Sequence, residues 1–109
     1  MDCGGWSDPK PADGDLLMLC KWFWNISESK TDQKYQDFKA IEYMSQVVTG
    51  INYLIKVQVG EDDYVHLQIF QSPLLGNTIA TTFEGVQGDH KREDPLTPFK
   101  PFSYSENTT

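Results

Sequence analysis

The sequence predicts an α+β fold in which one long helix lies across a four- or five-stranded antiparallel sheet. Apolar residues in the first third of the chain recur with helical spacing, whereas those after residue 50 alternate with a period of two. The segments between the alternating runs are short, and short connections favour an antiparallel meander. At 109 residues, the chain fits one domain with one hydrophobic core.

Residues 1–99 are predicted to form this single domain, beginning with a flexible arm at residues 1–12. Gly4-Gly5 and the prolines Pro9 and Pro11 disfavour helix in the arm. Few helix or strand signals follow Asp89, and the polar residues 100–109 are predicted to be a mobile tail.

The long helix is predicted to begin near Asp13 to Asp15, whose acidic side chains oppose the helix dipole, and to end at about Lys34 or Tyr35. Its core-facing stripe contains Leu16, Leu19, Phe23 and Ile26. Further large apolar residues are Leu17, Met18, Trp22 and Trp24. They widen the stripe beyond what one sheet face covers, so part of this apolar surface is expected to remain exposed.

Four strands are predicted after the helix, at residues 38–48, 53–59, 64–71 and 78–83. The clearest alternation places on one face Tyr53, Ile55, Val57 and Val59. His66 alternates with apolar neighbours and is expected on the wetter face of the sheet. His90, between Asp89 and Lys91, is expected to be a solvated loop residue.

The composition excludes several classes of function. A net charge of −7 repels phosphate backbones and anionic lipids, so nucleic acid is excluded as a partner and membrane contact is not expected. Common catalytic, metal-binding and phosphate-binding motifs are absent from the sequence, which predicts neither an enzyme nor a cofactor. The two cysteines, Cys3 and Cys20, are expected to be free thiols in a reducing compartment.

One segment lacks a structural explanation. Gln46-Val47-Val48-Thr49-Gly50 is uncharged, although the flanking strands place it at a hairpin tip, where polar residues are usual. Exposed valines at a tip indicate a binding partner.

This pentapeptide resembles the Q-V-V-x-G inhibitory loop of cystatins and is followed by the Asn52-Tyr53 expected there. Other segments resemble the stefin branch of that family: Cys3-Gly4-Gly5-Trp6-Ser7, Lys10-Pro11-Ala12, Val65-His66-Leu67, Phe70-Gln71-Ser72 and Pro95-Leu96-Thr97-Pro98-Phe99. The similarity extends from Gly4 to Phe99. The chain is identified as a stefin-like sequence with a cystatin-like roll.

The resemblance implies a reversible, tight-binding inhibitor of papain-like cysteine proteases such as cathepsins. An N-terminal arm and two hairpin loops would block the active-site cleft of the protease. The implied contact residues are Gly4, Gln46, Val47, Val48, Thr49, Gly50, Pro73 and Leu74. The resemblance implies a cytoplasmic location, and we expect a monomer, although the apolar helix of this chain leaves self-association open.

The second hairpin departs from the family pattern, since stefins have Leu-Pro where this chain has Pro73-Leu74. The alternative is therefore a protein of cystatin fold with weakened or lost inhibition that acts as an interaction protein.

Overall fold

The computed structural model describes residues 5–73 and 79–98, and the backbone alone at Pro73. Its elements, in chain order, are β1 (Lys10–Pro11), α1 (Gly14–Lys21), α2 (Trp24–Thr31), β2 (Lys39–Val47), β3 (Ile51–Gln58), β4 (Tyr64–Pro73) and β5 (Ile79–His90). The strands form one antiparallel sheet in the order β1-β2-β3-β4-β5. The predicted α+β fold with a five-stranded antiparallel sheet is confirmed.

The helical layer differs from the prediction, because two short helices replace one long helix. At Trp22 and Phe23 the backbone N–H groups bond carbonyls three residues back, at Leu19 and Cys20, so a tighter turn separates α1 from α2. The second helix ends at Thr31, because its C-cap Asp32 has a left-handed conformation with φ of 57° that terminates the helix before Lys34.

The turn between the helices directs two aromatic residues onto the sheet. The Phe23 ring lies 6.1 Å from that of Phe83, and the Trp24 ring lies 5.8 Å from that of Phe38. The core beneath contains the buried residues Leu16, Cys20, Tyr35, Phe38, Ala40, Ile55, Val57, Val59, Val65, Leu67 and Ile69. Burial raises the pKa of the free Cys20 thiol to about 12, so this thiol is unreactive at neutral pH. Cys3 lies outside the described residues.

The last strand is longer than predicted, extending to His90 rather than ending near Phe83. In its pairing with β4, Ile69 faces Phe83 and Gln68 faces Gly85, so Glu84 is an extra residue in a β-bulge. Beyond the bulge, the strand continues past Gly85 and Gly88 to His90.

The sheet is covered on both faces, which the sequence did not predict. On the face opposite the helices, Leu54, Lys56, His66 and Gln68 are buried. The segment that follows β5 contacts Leu54 through Leu96 and Lys56 through the Arg92 carbonyl, whereas His66 and Gln68 contact His90 and Glu84 of β5. The expectation that His66 lies on a wetter face is therefore wrong. His90 is not a solvated loop residue either, because it ends β5 and its Nδ1 lies 2.9 Å from Oδ2 of Asp94.

The ring of His66 stacks on that of His90, with centroids 3.7 Å apart and planes inclined by 8°. Within the described part of the chain, neither ring nitrogen of His66 has a hydrogen-bond partner. Burial, His90 and the Lys56 ammonium lower the pKa of His66 from 6.5 to about 4, against a smaller opposing effect of Asp94. Lys56 itself is paired with Glu42 at 3.2 Å.

We expect this histidine to make stability depend on pH. As pH falls below 6.5, the unfolded chain takes up a proton that the folded chain accepts only near pH 4, so acid favours unfolding. Between pH 7 and pH 5 the free energy of unfolding should fall by about 2 kcal/mol. Urea titrations should show this loss in the parent and its absence in His66→Phe, which keeps His90. An equal pH dependence of both proteins would contradict the prediction.

Candidate functional site

The predicted tip at residues 46–50 forms the connection between β2 and β3. Val47 pairs with Ile51, and Gln46 pairs with Asn52. The turn is closed by the Val48 N–H, which donates to the Gly50 carbonyl at 2.9 Å. Below the turn, the Asn52 side-chain amide donates to Oε1 of Gln46 at 2.7 Å. The tip is therefore braced by main-chain and side-chain hydrogen bonds.

Two apolar side chains project from this braced turn. Val47 is 59% exposed and Val48 is 39% exposed. Neither side chain belongs to the core, so packing of the core does not require an apolar residue at either position. Removing such area from water favours binding by about 25 cal/mol per Å². The tip thus offers apolar surface that only a partner would cover.

Gly50 holds the tip against the neighbouring hairpin. A Cβ placed on this residue would collide with the backbone carbonyl oxygen of Gln71 and the ring of Phe70, both in β4. Only glycine permits so close an approach of two backbones. The tip is therefore supported from the side of β4 as well as by its own strands.

The arm lies along the other side of the tip. The Ser7 N–H donates to the Ser45 carbonyl at 2.8 Å, and the Ser45 N–H donates to Oγ of Ser7 at 3.0 Å. Trp6 forms an antiparallel bridge with Gln46, and β1 pairs with β2 further back. Because this pairing is antiparallel, the arm comes closer to the tip when it is followed back from Pro11 to Trp6. Arm flexibility stays a prediction, and Gly4 lies outside the described residues.

The second hairpin reaches the same end of the sheet. Gln71 pairs with Ile51 at the base of the tip, and the last pair of β4 with β5 is Pro73 with Ile79. The predicted contact Leu74 lies outside the described residues, and only the backbone of Pro73 is described. Ile79 is exposed and was not singled out from the sequence. The sequence signal that identified Val47 and Val48, an apolar residue next to a hairpin turn, is also present at Ile79 and could have identified it.

Arm, tip and second hairpin thus form one edge of the molecule, in that order. We call this edge the rim; its described residues are Gly5, Val47, Val48, Thr49, Gly50, Pro73 and Ile79. None of these residues has an ionisable side chain. The described part of the rim is therefore suited to docking into an apolar cleft.

Within the described ranges, neither helix has the length and apolar character needed to cross a membrane.

Comparison with known proteins places this geometry in a family. A family model described as the cystatin domain matches residues 4–93. Cystatin-A of Bos taurus is 39% identical over 97 residues, which cover 88% of this chain and 97% of that protein. Stefin-C of Bos taurus is 41% identical, with 88% of this chain and 94% of that protein covered.

A third relative has a name that states an activity. Leukocyte cysteine proteinase inhibitor 1 of Sus scrofa is 40% identical over 99 residues, covering 91% of this chain and 95% of that protein. These matches cover 88–91% of this chain, and the family model spans the arm from Gly4, the tip and the strands that position them. The chain belongs to the cystatin family and, within it, to the stefin branch.

Proposed function

We propose that this chain is a reversible, tight-binding inhibitor of papain-like cysteine proteases such as cathepsins, and not an enzyme. Family membership supports this function, as does the relative named as a cysteine proteinase inhibitor. The observation that carries the proposal is the tip, where two exposed valines are braced on both sides before any partner binds. A preordered apolar projection loses little entropy on binding, which favours high affinity.

In the proposed complex, the rim enters the active-site cleft as a wedge. Val47 and Val48 lose their exposed area to the cleft walls, and Gln46, Thr49 and Gly50 bring backbone close to the catalytic groove. Gly4 and the pair Pro73-Leu74 are proposed to contact the protease on either side of the tip. Inhibition then follows from steric exclusion of substrate, and no bond of the inhibitor is cleaved.

A titration tests the function. Increasing amounts of purified protein are added to papain and to a cathepsin, and residual activity is followed on a small fluorogenic peptide. We expect stoichiometric loss of activity at nanomolar concentration and recovery of the inhibitor as an intact chain. Trypsin, a serine protease, serves as the control and should retain its activity. Absence of inhibition at micromolar concentration would refute the proposal.

The same titration distinguishes the second candidate, a cystatin-fold interaction protein with weakened inhibition. Its supporting observation is the sequence Ser72-Pro73-Leu74-Leu75-Gly76 in the second hairpin, where the proline is displaced from its position in the stefin pattern. Inhibition that appears only at micromolar concentration would favour this candidate.

The proposed location is the cytoplasm, supported by the free thiol of Cys20. Recovery of the protein in the membrane or secreted fraction of cells would contradict that location.

We expect the protein to be a monomer at micromolar concentration, since its net charge of −7 opposes association. The exposed apolar residues Met18 and Trp22 lie one helical turn apart on the outer surface, with Trp22 82% exposed. Light scattering over a range of concentrations checks the expectation. Concentration-dependent dimers that disappear in Trp22→Glu would contradict it and would identify this helical surface as the interface.

A further inference from the structure

The segment after β5 returns across the sheet face opposite the helices, and we call residues 91–96 the strap. Its turn is fixed by the Asp94 side chain, which accepts the Lys91 N–H at 3.0 Å, and by the Asp94 N–H, which donates to the Lys91 carbonyl at 3.1 Å. From the sheet below, the buried Lys56 ammonium donates to the Arg92 carbonyl. The strap is thus attached to the face of β3 without being a strand.

The strap ends in a side chain that joins it to the arm. Leu96 is 7% exposed and forms a small apolar cluster with Met44 and Leu54, which are paired neighbours in β2 and β3. Trp6 packs against this same cluster. The cluster is separate from the main core beneath the helices. It therefore connects the C-terminal part of the chain to the residue from which the arm leaves the sheet.

We propose that Leu96 is a positioning residue for the inhibitory arm: by completing the cluster, the strap holds Trp6 on the sheet and fixes the direction in which the arm runs toward the tip. The inference rests on the proposed function, because an ordered arm matters only if the rim binds a protease.

The backbone of the arm is too weakly paired to fix this direction by itself. It is an edge segment whose hydrogen bonds to β2 fall into two short groups, at Trp6–Ser7 and near β1, with Pro9 between them. Proline offers no N–H to the ladder, and short edge pairings are marginally stable in water. The Trp6 side chain supplies the missing anchor. An arm ordered in advance avoids the entropy cost of immobilising its side chains on binding.

Leu96→Ala tests this positioning role, and Leu16→Ala is its matched control. Both leucines are 7% exposed, but Leu16 lies in α1 and packs on the opposite face of the sheet. Both variants should lose stability through a comparable cavity. Only Leu96→Ala is expected to raise the inhibition constant for papain, by roughly tenfold. Should the alanine variant not fold, Leu96→Val is expected to change the constant in the same direction by a smaller factor.

A double-substitution cycle separates positioning from general destabilisation. Once Trp6→Ala has removed the anchored side chain, adding Leu96→Ala should raise the inhibition constant less than twofold further. Additive effects in the cycle, or equal effects of Leu96→Ala and Leu16→Ala, would overturn the inference.

Hydrogen exchange in the free protein tests the coupling without a protease. The Ser7 amide, which donates to the Ser45 carbonyl, should exchange about tenfold faster in Leu96→Ala than in the parent. The amides that pair β3 with β4 should remain the more strongly protected ones in both proteins. Unchanged exchange at Ser7 would refute the coupling. If the parent does not inhibit papain, the proposed function fails, and the exchange data still decide whether the strap orders the arm.

Discussion

Replacing Val48 by aspartate should raise the inhibition constant for papain at least 100-fold while leaving the circular dichroism spectrum unchanged. Val48 projects from a turn that lies beyond the paired ends of β2 and β3, so the fold does not depend on its apolar character. In the proposed complex this side chain is covered by the cleft. A carboxylate there would lose its hydration without gaining a partner, which costs several kcal/mol.

Ile26→Asp is the matched control for this prediction. Ile26 is 38% exposed, almost the same as the 39% of Val48, but it lies in α2, on the layer of helices rather than in the rim. Both substitutions add one negative charge to the net charge of −7. We expect the inhibition constant of Ile26→Asp to stay within about threefold of the parent, the range of a screened charge effect. Equal losses in both variants, or none in Val48→Asp, would exclude insertion of the tip.

The parts of this molecule that depend on local pattern were predictable from its sequence. The alternation around Ile55 and Val57 identified β3 and its core-facing side, because side-chain direction follows the backbone period directly. The tip was identified because Val47 and Val48 violate the polarity expected of a turn. Its resemblance to the cystatin loop then supplied a partner class, which no periodicity could have done.

The parts that depend on what covers a surface were not predictable in this way. The alternation in β4 places His66 and Leu67 on different faces of the sheet. It does not indicate whether the face that carries His66 is in contact with water or with another segment of the chain. The strap on this face has no periodic pattern: Asp94 fixes its turn, its Arg92 carbonyl accepts from Lys56 of β3, and its Leu96 packs against Leu54. Its presence follows from tertiary packing alone.

The break between α1 and α2 has a similar origin. Trp22 and Phe23 continue the helical apolar spacing, and neither residue is a helix breaker. The turn places Phe23 against Phe83 of β5 and Trp24 against Phe38, the residue just before β2, so these tertiary contacts outweigh the local preference for an unbroken helix. Helix propensities differ by only a few tenths of a kcal/mol per residue, whereas burying one aromatic side chain contributes more.

Gly50→Ala should lower the free energy of unfolding by about 2–3 kcal/mol, the range typical of a severe overpacking in a closely packed structure. The new methyl group would meet the Gln71 carbonyl oxygen and the Phe70 ring. A flexible side chain could move aside, but Gln71 is held in the ladder between β3 and β5, so the tip itself must lift away from β4. Urea unfolding measures the loss of stability.

The same displacement should weaken inhibition, because the tip and the second hairpin would no longer present one continuous rim. We expect the inhibition constant for papain to rise roughly tenfold, corresponding to about 1.4 kcal/mol of binding free energy. Gly14→Ala is the control, since Gly14 begins α1 and an added Cβ has no atom within 4 Å. This control should be as stable as the parent or more stable, because alanine favours helix, and should inhibit equally. If Gly50→Ala matches it in both measurements, the tip is not supported by β4, and its order must come from its own two strands.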